Sequence, residues 1–446
     1  MMAAMAQRES KLVRRPRMLL ALSLGLLALA GCRNRNASGP AYPSLDELAR
    51  CEEGECVETS LTFRHWADAG YYRGRIPYHC TPGSELDGPQ NPAVTRMILG
   101  IHGVISDVNG YVDVNAAPGL NHVRYVDQAL LRAQRSDPSL KRESIAIIAP
   151  TFQRTQLWQP YTDEDKRYWT WASADYKFGA DSAENRGFAG AVRAEPVSAF
   201  DVLDEFLRAA LITFPNLEQI VIVGHSAGGQ TVHRYALLGV GVHERLVREG
   251  IAIRYMPADG AHYTFPMMTR KLEPGRASVR PATGDANTGS WHWDAPRGCK
   301  GYDDWAYGLS GLADLPYDRA QRAADYAIDQ YLQDVDRKLA RQARNDDYGR
   351  TWDKAARIAL RLQYASREIW HFQADTDTDS SFPEHCAIQV QGRSRFERFM
   401  HFEEAWTTQV GIPAPDLHFV RLANPRHHHS SVVVYTSEEG LHVLFH

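Results

Sequence analysis

Six short apolar runs, rich in β-branched residues, divide the chain between residue 95 and the C-terminus. They lie at 95–103, 144–150, 219–226, 251–260, 367–375 and 417–425. Each run is continuously apolar instead of alternating, which is typical of strands that helices cover on both faces. Helical patterns at 197–214 and 230–247 lie between some of these runs. The chain is therefore predicted to form an α/β fold with a doubly wound, mostly parallel sheet.

A long interval separates the run at 251–260 from the run at 367–375. It contains Trp293, the segment YDDWAYGLSGL (302–312) and a charged helical stretch at 318–346. A simple helical crossover is much shorter than this interval. We therefore expect 263–365 to be an inserted helical cap over the active edge of the sheet. The alternative is a surface decoration without a role in binding.

The first 32 residues have the pattern of an export signal. A basic flank, RESKLVRRPR, precedes the apolar stretch Met18–Ala30, which is too short to span a bilayer and has the length of a signal-peptide core. The segment LAGC, ending at Cys32, resembles a bacterial lipobox, so Cys32 is predicted to become the first mature residue and to carry a lipid anchor. The alternative is an ordinary signal peptide cleaved near Ala30.

These patterns divide the chain into three parts. Residues 1–32 are the signal, 33–45 are predicted to be a flexible tether of small and polar residues, and 46–446 form the folded domain. We expect the protein to lie at the bacterial cell envelope, on the periplasmic or the outer-surface face, where the lipid anchor joins it to the membrane. The formal net charge of −4 gives no reason to expect a nucleic-acid partner. The sequence does not indicate an oligomeric state.

The cysteine count fits an exported protein, in which disulfides can form. With Cys32 assigned to lipid, five cysteines remain: Cys51, Cys56, Cys80, Cys299 and Cys386. Five is odd, so at least one thiol must stay unpaired or pair with another chain. No C-x-x-C spacing or H-E-x-x-H motif is present, and we expect neither a metal nor a cofactor.

The apolar run at 219–226 ends in a G-x-S-x-G motif, Gly224-His225-Ser226-Ala227-Gly228. A strand before the motif and a helix after it place the serine on a tight, strained turn, where side chains at the two glycine positions would clash. This context favours Ser226 as a nucleophile over the alternative of a structural small residue.

A nucleophilic serine needs a histidine as base and an acid that holds the histidine. Both follow Ser226 in the expected order, at the ends of predicted strands. The acid candidates are Asp375 and Asp377 in QADTDTD, with Asp259 as a more distant rival, and the base candidates are His427, His428 and His429 in NPRHHHSS. A metal-binding or structural role for the three histidines is the alternative.

Serine catalysis also needs backbone N–H groups that stabilise the developing oxyanion. One donor is predicted to be the N–H of Ala227, directly after the nucleophile. The second is predicted to be the N–H of Val104, because IHGV ends the first apolar run and Gly103 lets the backbone turn close to a substrate.

The segment FPNLEQIVIVGHSAGGQTVHRYA (214–236) resembles the nucleophile region of a group of bacterial and fungal α/β-hydrolase fold proteins. Further similar pieces follow in the same order, including IHGVISDVNGYV, YDDWAYGL, HCAIQVQGRSRFER and TSEEGLHVLF. The resemblance covers most of the chain from about residue 95 onward. It implies the α/β-hydrolase fold and a Ser-His-acid site, and it implies no particular substrate.

The same resemblance selects among the candidates. The acid turn of the group, G-E-L-D-T-D, aligns with 374–379 and selects Asp377, although two departures at Ala374 and Asp375 leave Asp375 as a rival. Its H-D-x-x-x-M-F-T-S-x-E-G pattern aligns with HSSVVVYTSEEG and selects His429. The resemblance also implies a disulfide between Cys299 and Cys386.

Together these observations predict an exported serine hydrolase that cleaves an acyl ester of a small molecule or lipid through Ser226, Asp377 and His429. A peptidase or thioesterase with the same three residues remains open, because the catalytic groups alone do not choose the acyl substrate. A non-catalytic surface lipoprotein that binds a ligand in the same pocket is the rival class.

Overall fold

Eight strands form the central sheet of this protein. The structure is a computed structural model that describes residues 57–67, 70–104, 118–154, 169–171, 175–182, 197–272, 280–281, 292–312, 323, 327, 348–380, 385–423 and 429–446. The strands are β1 (Val57–Ala67), β2 (Gly70–Cys80), β3 (Arg96–Ile101), β4 (Ile145–Pro150), β5 (Gln219–His225), β6 (Ala252–Ala258), β7 (Glu368–Ala374) and β8 (Leu417–Leu422).

The strand order in the sheet is β1-β2-β4-β3-β5-β6-β7-β8. The pairs β1–β2 and β2–β4 are antiparallel, and every following pair is parallel. A mostly parallel sheet in this order, with the second strand reversed, is the α/β-hydrolase fold. The predicted fold class is confirmed, and all six predicted strands are present as β3 to β8.

Helices pack on both faces of the sheet. They are α1 (Pro118–Ser136), α2 (Ala199–Thr213), α3 (Ala227–Leu238), α4 (Val242–Arg248), α5 (Tyr348–Ala365), α6 (Cys386–Gln389), α7 (Arg395–Glu404), α8 (Ser431–Thr436) and α9 (Glu438–Phe445). The described buried core has two large clusters and a small third one around Cys299. In β3, Leu99 and Ile101 pack with residues of α2, α3 and α5, whereas Ile98 packs with residues of α1, α8 and α9. Alternate residues of one strand thus serve opposite faces, which is why its sequence is continuously apolar.

One predicted helix differs from the structure, and two strands of the structure have no counterpart in the prediction. The helical pattern at 230–247 forms two helices, α3 and α4, because the chain turns at Gly239 and Gly241, and Gly241 has a φ of 80°. The antiparallel strands β1 and β2 were not predicted at all.

The interval between β6 and β7, in which the cap insertion is predicted, contains further short elements. Its described part contains two short antiparallel strand pairs, Arg270–Leu272 with His292–Asp294 and Arg280–Pro281 with Pro296–Arg297, and then α5. Within the charged stretch 318–346 the structure describes only Ala323 and Ala327, which are helical and buried. Whether the insertion covers the active edge stays a prediction.

A disulfide joins Cys299 in this insertion to Cys386 at the start of α6, as the resemblance implied. Cys80 is a buried free thiol at the end of β2, and burial raises its pKa. Cys32, Cys51 and Cys56 lie outside the described residues. Within the described part of the chain, no helix has both the length and the apolar character that a membrane span requires.

Candidate active site

Ser226 lies in the turn between β5 and α3. Its backbone angles are φ 59° and ψ −118°, a conformation that residues other than glycine adopt rarely and at a cost. Its N–H donates to the carbonyl oxygen of Ala258 at 2.9 Å, and its own carbonyl accepts from the N–H of Gln230 at 3.0 Å. These bonds to β6 and α3 hold the strained serine at the carboxyl end of the sheet.

The two glycines of the motif lie where the surrounding backbone leaves no room for a side chain. A Cβ atom on Gly224 would lie 2.4 Å from the backbone of Gly228, and one on Gly228 would lie 1.9 Å from the carbonyl oxygen of Ile101. Both distances are far below van der Waals contact. Strand β5, helix α3 and the end of β3 therefore approach each other only because these positions have no side chain.

The loop after β3 lies against Ser226. A Cβ on Gly103 would be 3.4 Å from Cβ of Ser226 and 4.0 Å from its Oγ. The Tyr176 hydroxyl donates to the carbonyl oxygen of Gly103 at 2.9 Å. Because a trans peptide directs its N–H opposite to its C=O, the N–H of Val104 points away from Tyr176. Val104 itself is 43% exposed.

His102 fixes the conformation of this loop. Its Nε2 accepts from the N–H of Phe152 at 2.9 Å, so its Nδ1 carries the proton and donates to the carbonyl oxygen of Gly103 at 2.7 Å. Burial lowers the pKa of His102 to about 4, which keeps the imidazole neutral. The other expected oxyanion donor, the N–H of Ala227, is at the first position of α3, where a helix offers no acceptor of its own.

Asp377 lies in the turn after β7, and its side chain is 2% exposed. Its Oδ2 is 2.9 Å from Nδ1 of His429, and Nε2 of Gln373 donates to the same oxygen at 3.4 Å. Its Oδ1 is 3.3 Å from Nη1 of Arg395. The carboxylate is therefore positioned by three groups, of which one is the imidazole that the resemblance selected.

His429 precedes α8, and its side chain is 27% exposed. Since Asp377 occupies Nδ1, the other ring nitrogen, Nε2, is available for a reacting group. The imidazole lies against that of His225, the neighbour of Ser226 in the chain, with 4.4 Å between ring centroids. Ser226 Oγ and His429, both of which the structure describes, do not form a hydrogen bond. In enzymes, such bonds are often long without substrate and shorten when the substrate binds.

The rival residues have other surroundings. The N–H of Asp375 donates to the carbonyl oxygen of Leu422 at 3.2 Å, and its Oδ1 has no hydrogen-bond partner within the described part of the chain. Asp375 therefore contacts no described imidazole through this oxygen. His427 and His428 lie outside the described residues.

Sequence reasoning missed a second pair of a histidine and an acid beside the first. Nε2 of His225 is 3.2 Å from Oδ2 of Asp259, which follows β6, has a φ of 48° and is completely buried. The only sequence signals were the position of His225 inside G-x-S-x-G and the strand-end position of Asp259.

Gln373 connects the two acids. Its Nε2 donates to Oδ1 of Asp259 at 3.1 Å and is 3.4 Å from Oδ2 of Asp377, while its Oε1 accepts from the Tyr263 hydroxyl at 3.2 Å. Burial, together with the charges of Asp259 and Asp377, raises the pKa of Tyr263 well above its usual value. Tyr263 therefore keeps its proton and remains a donor to the network.

The site thus places four groups at one edge of the sheet. They are the strained Ser226, the N–H of Val104, and His429 in contact with the buried Asp377. This set of groups can transfer an acyl group by nucleophilic attack. No protein-family model matches the sequence, and no curated protein matches it either. The resemblance to the bacterial and fungal group therefore stays a prediction.

Similar solved structures include several enzymes that act on esters or polymers. LpqC, a poly(3-hydroxybutyrate) depolymerase from Bordetella parapertussis, is 15% identical, with 82% of this chain and 84% of that chain covered and a TM-score of 0.39. Poly(aspartic acid) hydrolase-1 from Sphingomonas sp. KT-1 is 16% identical, with 87% and 98% covered and a TM-score of 0.41. The siderophore hydrolase EstB from Aspergillus nidulans is 11% identical, with 87% and 91% covered and a TM-score of 0.32.

These neighbours are a depolymerase and two hydrolases by name, and at such identities and TM-scores they assign no substrate to this chain. The fold assignment depends on the strand order of the sheet described above.

Proposed function

We propose that this protein is a serine hydrolase that cleaves an acyl ester, with Ser226 as nucleophile, His429 as base and Asp377 as the acid that orients the base. The observation that carries the proposal is the 2.9 Å contact between Nδ1 of His429 and the buried carboxylate of Asp377, close to a serine in a strained strand-to-helix turn. Asp377 fixes the tautomer in which Nδ1 carries the proton and Nε2 has the lone pair.

The reaction begins when Ser226 Oγ attacks the acyl carbonyl while Nε2 of His429 takes the hydroxyl proton. The tetrahedral oxyanion is stabilised by the N–H groups of Ala227 and Val104. His429 then gives its proton to the leaving alcohol, and an acyl-serine forms. A water molecule, activated by His429, attacks this ester and regenerates the serine.

The substrate is expected to be an acyl ester of a small molecule or a lipid. Since the catalytic groups do not select the acyl partner, a peptide or thioester bond is the second choice. Described aromatic side chains of the insertion, such as Trp293 and Tyr302, are candidates for the wall of the pocket.

We also propose export and lipid anchoring at Cys32, based on the Met18–Ala30 apolar core and the LAGC segment. Labelled fatty acid should enter the wild-type protein and not a Cys32→Ser variant expressed in the same bacterium. Equal labelling of both would overturn the anchor.

The catalytic proposal is tested by labelling the purified mature domain with a fluorophosphonate probe, which reacts with activated serines. We expect labelling of the wild type, none of Ser226→Ala, and a large loss for His429→Gln. Asp377→Asn should slow labelling by about 10⁴-fold, because the imidazole loses its orienting charge.

Matched controls are Asp375→Asn, His427→Gln and His428→Gln, which should label at rates near the wild type. If Asp375→Asn or one of these histidine variants loses labelling instead, the assignment of acid or base is wrong. A folded wild type that does not label would favour the non-catalytic binding protein, for which the missing hydrogen bond between Ser226 and His429 is the supporting observation.

A further inference from the structure

His225, Asp259 and His429 form the one group of three possible metal ligands found among the described residues. One ring nitrogen of each histidine and one carboxylate oxygen of Asp259 lie within 4.8 Å of one another. The side chains are 12%, 0% and 27% exposed in this order, so the group is reached from the side on which His429 lies.

The ligand chemistry fits zinc and similar ions. Zinc binds imidazole nitrogen and carboxylate oxygen at about 2.0–2.2 Å, and sets of two histidines and one carboxylate, with one position open, are common for it. Two ligand atoms of a tetrahedral site are then about 3.4 Å apart. Nε2 of His225 and Oδ2 of Asp259, which are 3.2 Å apart, already have this spacing.

The hydrogen-bond partners of the possible ligands are also those that metal sites commonly have. Metal-bound histidines usually donate their other N–H to a carboxylate, and Nδ1 of His429 is 2.9 Å from Asp377. The far oxygen of Asp259, Oδ1, accepts from Nε2 of Gln373 at 3.1 Å and from the N–H of Ala374 at 3.0 Å. Asp259 is therefore held in place with its Oδ2 directed to the other ligands.

Two adjustments are required, one in the position of His429 and one in the protonation of His225. The distances of up to 4.8 Å must shorten by about 1.4 Å to reach the spacing of a tetrahedral site, which a side-chain rotation of the partly exposed His429 can supply. The ion needs the lone pair on Nε2 of His225, so the proton of that imidazole moves to Nδ1 when the ion binds.

We propose that His225, Asp259 and Nε2 of His429 bind one divalent transition-metal ion of the zinc type. The ion occupies the lone pair with which His429 would accept the serine proton, so the metal-bound form is inactive. The binding site stands on its own geometry, and only its inhibitory effect rests on the proposed function.

Metal binding is tested first without any activity. The metal-free mature domain is dialysed against micromolar Zn²⁺ and its zinc content is measured, and Co²⁺ is added separately because tetrahedral cobalt has intense visible absorption bands. We expect one tightly bound ion per chain in the wild type and at least tenfold weaker binding in His225→Gln, with loss of the cobalt bands.

Control variants exclude other histidines. His442 on α9 and His446 directly after it lie one turn apart, with 6.4 Å between ring centroids, and His442→Gln should keep the tight ion. A double variant, His427→Gln with His428→Gln, should also keep the tight ion.

Thermal unfolding of every metal-free variant shows whether the variant is folded. Asp259→Asn provides a second test if His225→Gln is not folded. Unchanged binding in a folded His225→Gln or Asp259→Asn variant overturns the site.

The inhibitory effect is tested by fluorophosphonate labelling with and without Zn²⁺. Protection of the wild type that a chelator reverses supports the proposal, whereas tight zinc binding without protection overturns the inhibition alone. A wild type that binds zinc but never labels contradicts the proposed hydrolase activity and leaves the metal site in place.

Discussion

At the residue scale, Gly228 and Gly103, which both lie near Ser226, differ in whether a side chain would fit. A Cβ on Gly228 would overlap the carbonyl oxygen of Ile101 at 1.9 Å, whereas one on Gly103 would meet Cβ of Ser226 at an ordinary 3.4 Å. We expect Gly228→Ala to lower the free energy of unfolding by about 3 kcal/mol or to prevent folding, because strand and helix must separate. Gly103→Ala should change it by less than about 1 kcal/mol.

Urea unfolding followed by circular dichroism measures both variants under identical conditions. Equal stability of the two would mean that helix α3 does not approach β3 as closely as described.

Gln373 is the residue whose loss should affect both acids together. In Gln373→Met, Asp259 and Asp377 each lose a donor, and leaving a buried polar group unsatisfied costs about 1–3 kcal/mol. We expect this loss of stability together with about tenfold slower fluorophosphonate labelling, since Asp377 is held less firmly. Gln134→Met on α1, far along the chain from both acids, is the control. Labelling at the wild-type rate in Gln373→Met would show that the bridge does not position Asp377.

Only part of the site could be predicted from single residues. Ser226 has a motif that reflects a steric requirement, so it stands out in the sequence. Three adjacent histidines and two nearby aspartates, by contrast, have the same chemistry, and only the resemblance chose His429 and Asp377. The pair His225–Asp259 and the bridge at Gln373 depend on side-chain directions at three different strand ends, which no sequence spacing encodes.

At the scale of elements, the parallel strands were predictable and the antiparallel ones were not. Strands β3 to β7 are mostly buried between helices and show this as apolar runs, whereas in β8, the edge strand, only Leu422 is buried. Strand β2, GYYRGRIPYHC, is interrupted by Arg73, Arg75, two glycines and Pro77, which argue against a strand in a sequence pattern. Strand β4 pairs only with Tyr78, His79 and Cys80, so Pro77 has a strand partner in β1 alone, and its missing N–H costs no bond to β4.

The disulfide is the element-scale feature with the clearest test. Cys299 and Cys386 are 87 residues apart, so the bond removes much freedom from the unfolded chain, and its loss is expected to cost about 2–4 kcal/mol. Cys299→Ser with Cys386→Ser should unfold at lower urea concentration than the oxidised wild type. The reduced wild type should match the double variant, and a reductant should not affect the variant. An oxidised wild type with the stability of the double variant would contradict this role.

At the scale of the whole molecule, many histidines are buried in neutral form. Burial lowers the pKa of His122 and His371 to about 3, that of His243 to about 2 and that of His233 well below its usual value. These side chains bond to tyrosine hydroxyls inside the core, for example His371 to Tyr364 at 2.7 Å. The core therefore depends on their remaining uncharged.

Acid should therefore destabilise the fold before the carboxylates titrate. These histidines have a pKa near 6.5 when unfolded. Below that pH the unfolded chain takes up protons that the folded chain does not, so this contribution to stability is complete above about pH 6.5 and is lost progressively as the pH falls towards the folded-state pKa values near 3. Each group can contribute up to about 1.4 kcal/mol per pH unit. We expect a loss of roughly 3–7 kcal/mol between pH 7.5 and 5.5.

Urea unfolding at several pH values measures this loss. The exposed His442, changed to Gln, should leave the pH dependence as it is in the wild type. A flat profile down to pH 5 would contradict neutral burial of these histidines.

The backbone of Ser226 has a consequence for how such a sequence can change over time. Its φ of 59° and ψ of −118° cost a serine about 1–3 kcal/mol, whereas a glycine adopts positive φ without this penalty. Selection for stability alone would thus favour glycine at this position. If Ser226 is the nucleophile as proposed, a lineage that loses the proposed acyl transfer is expected to drift from serine to glycine here, so the residue at 226 would record whether a descendant still uses this chemistry.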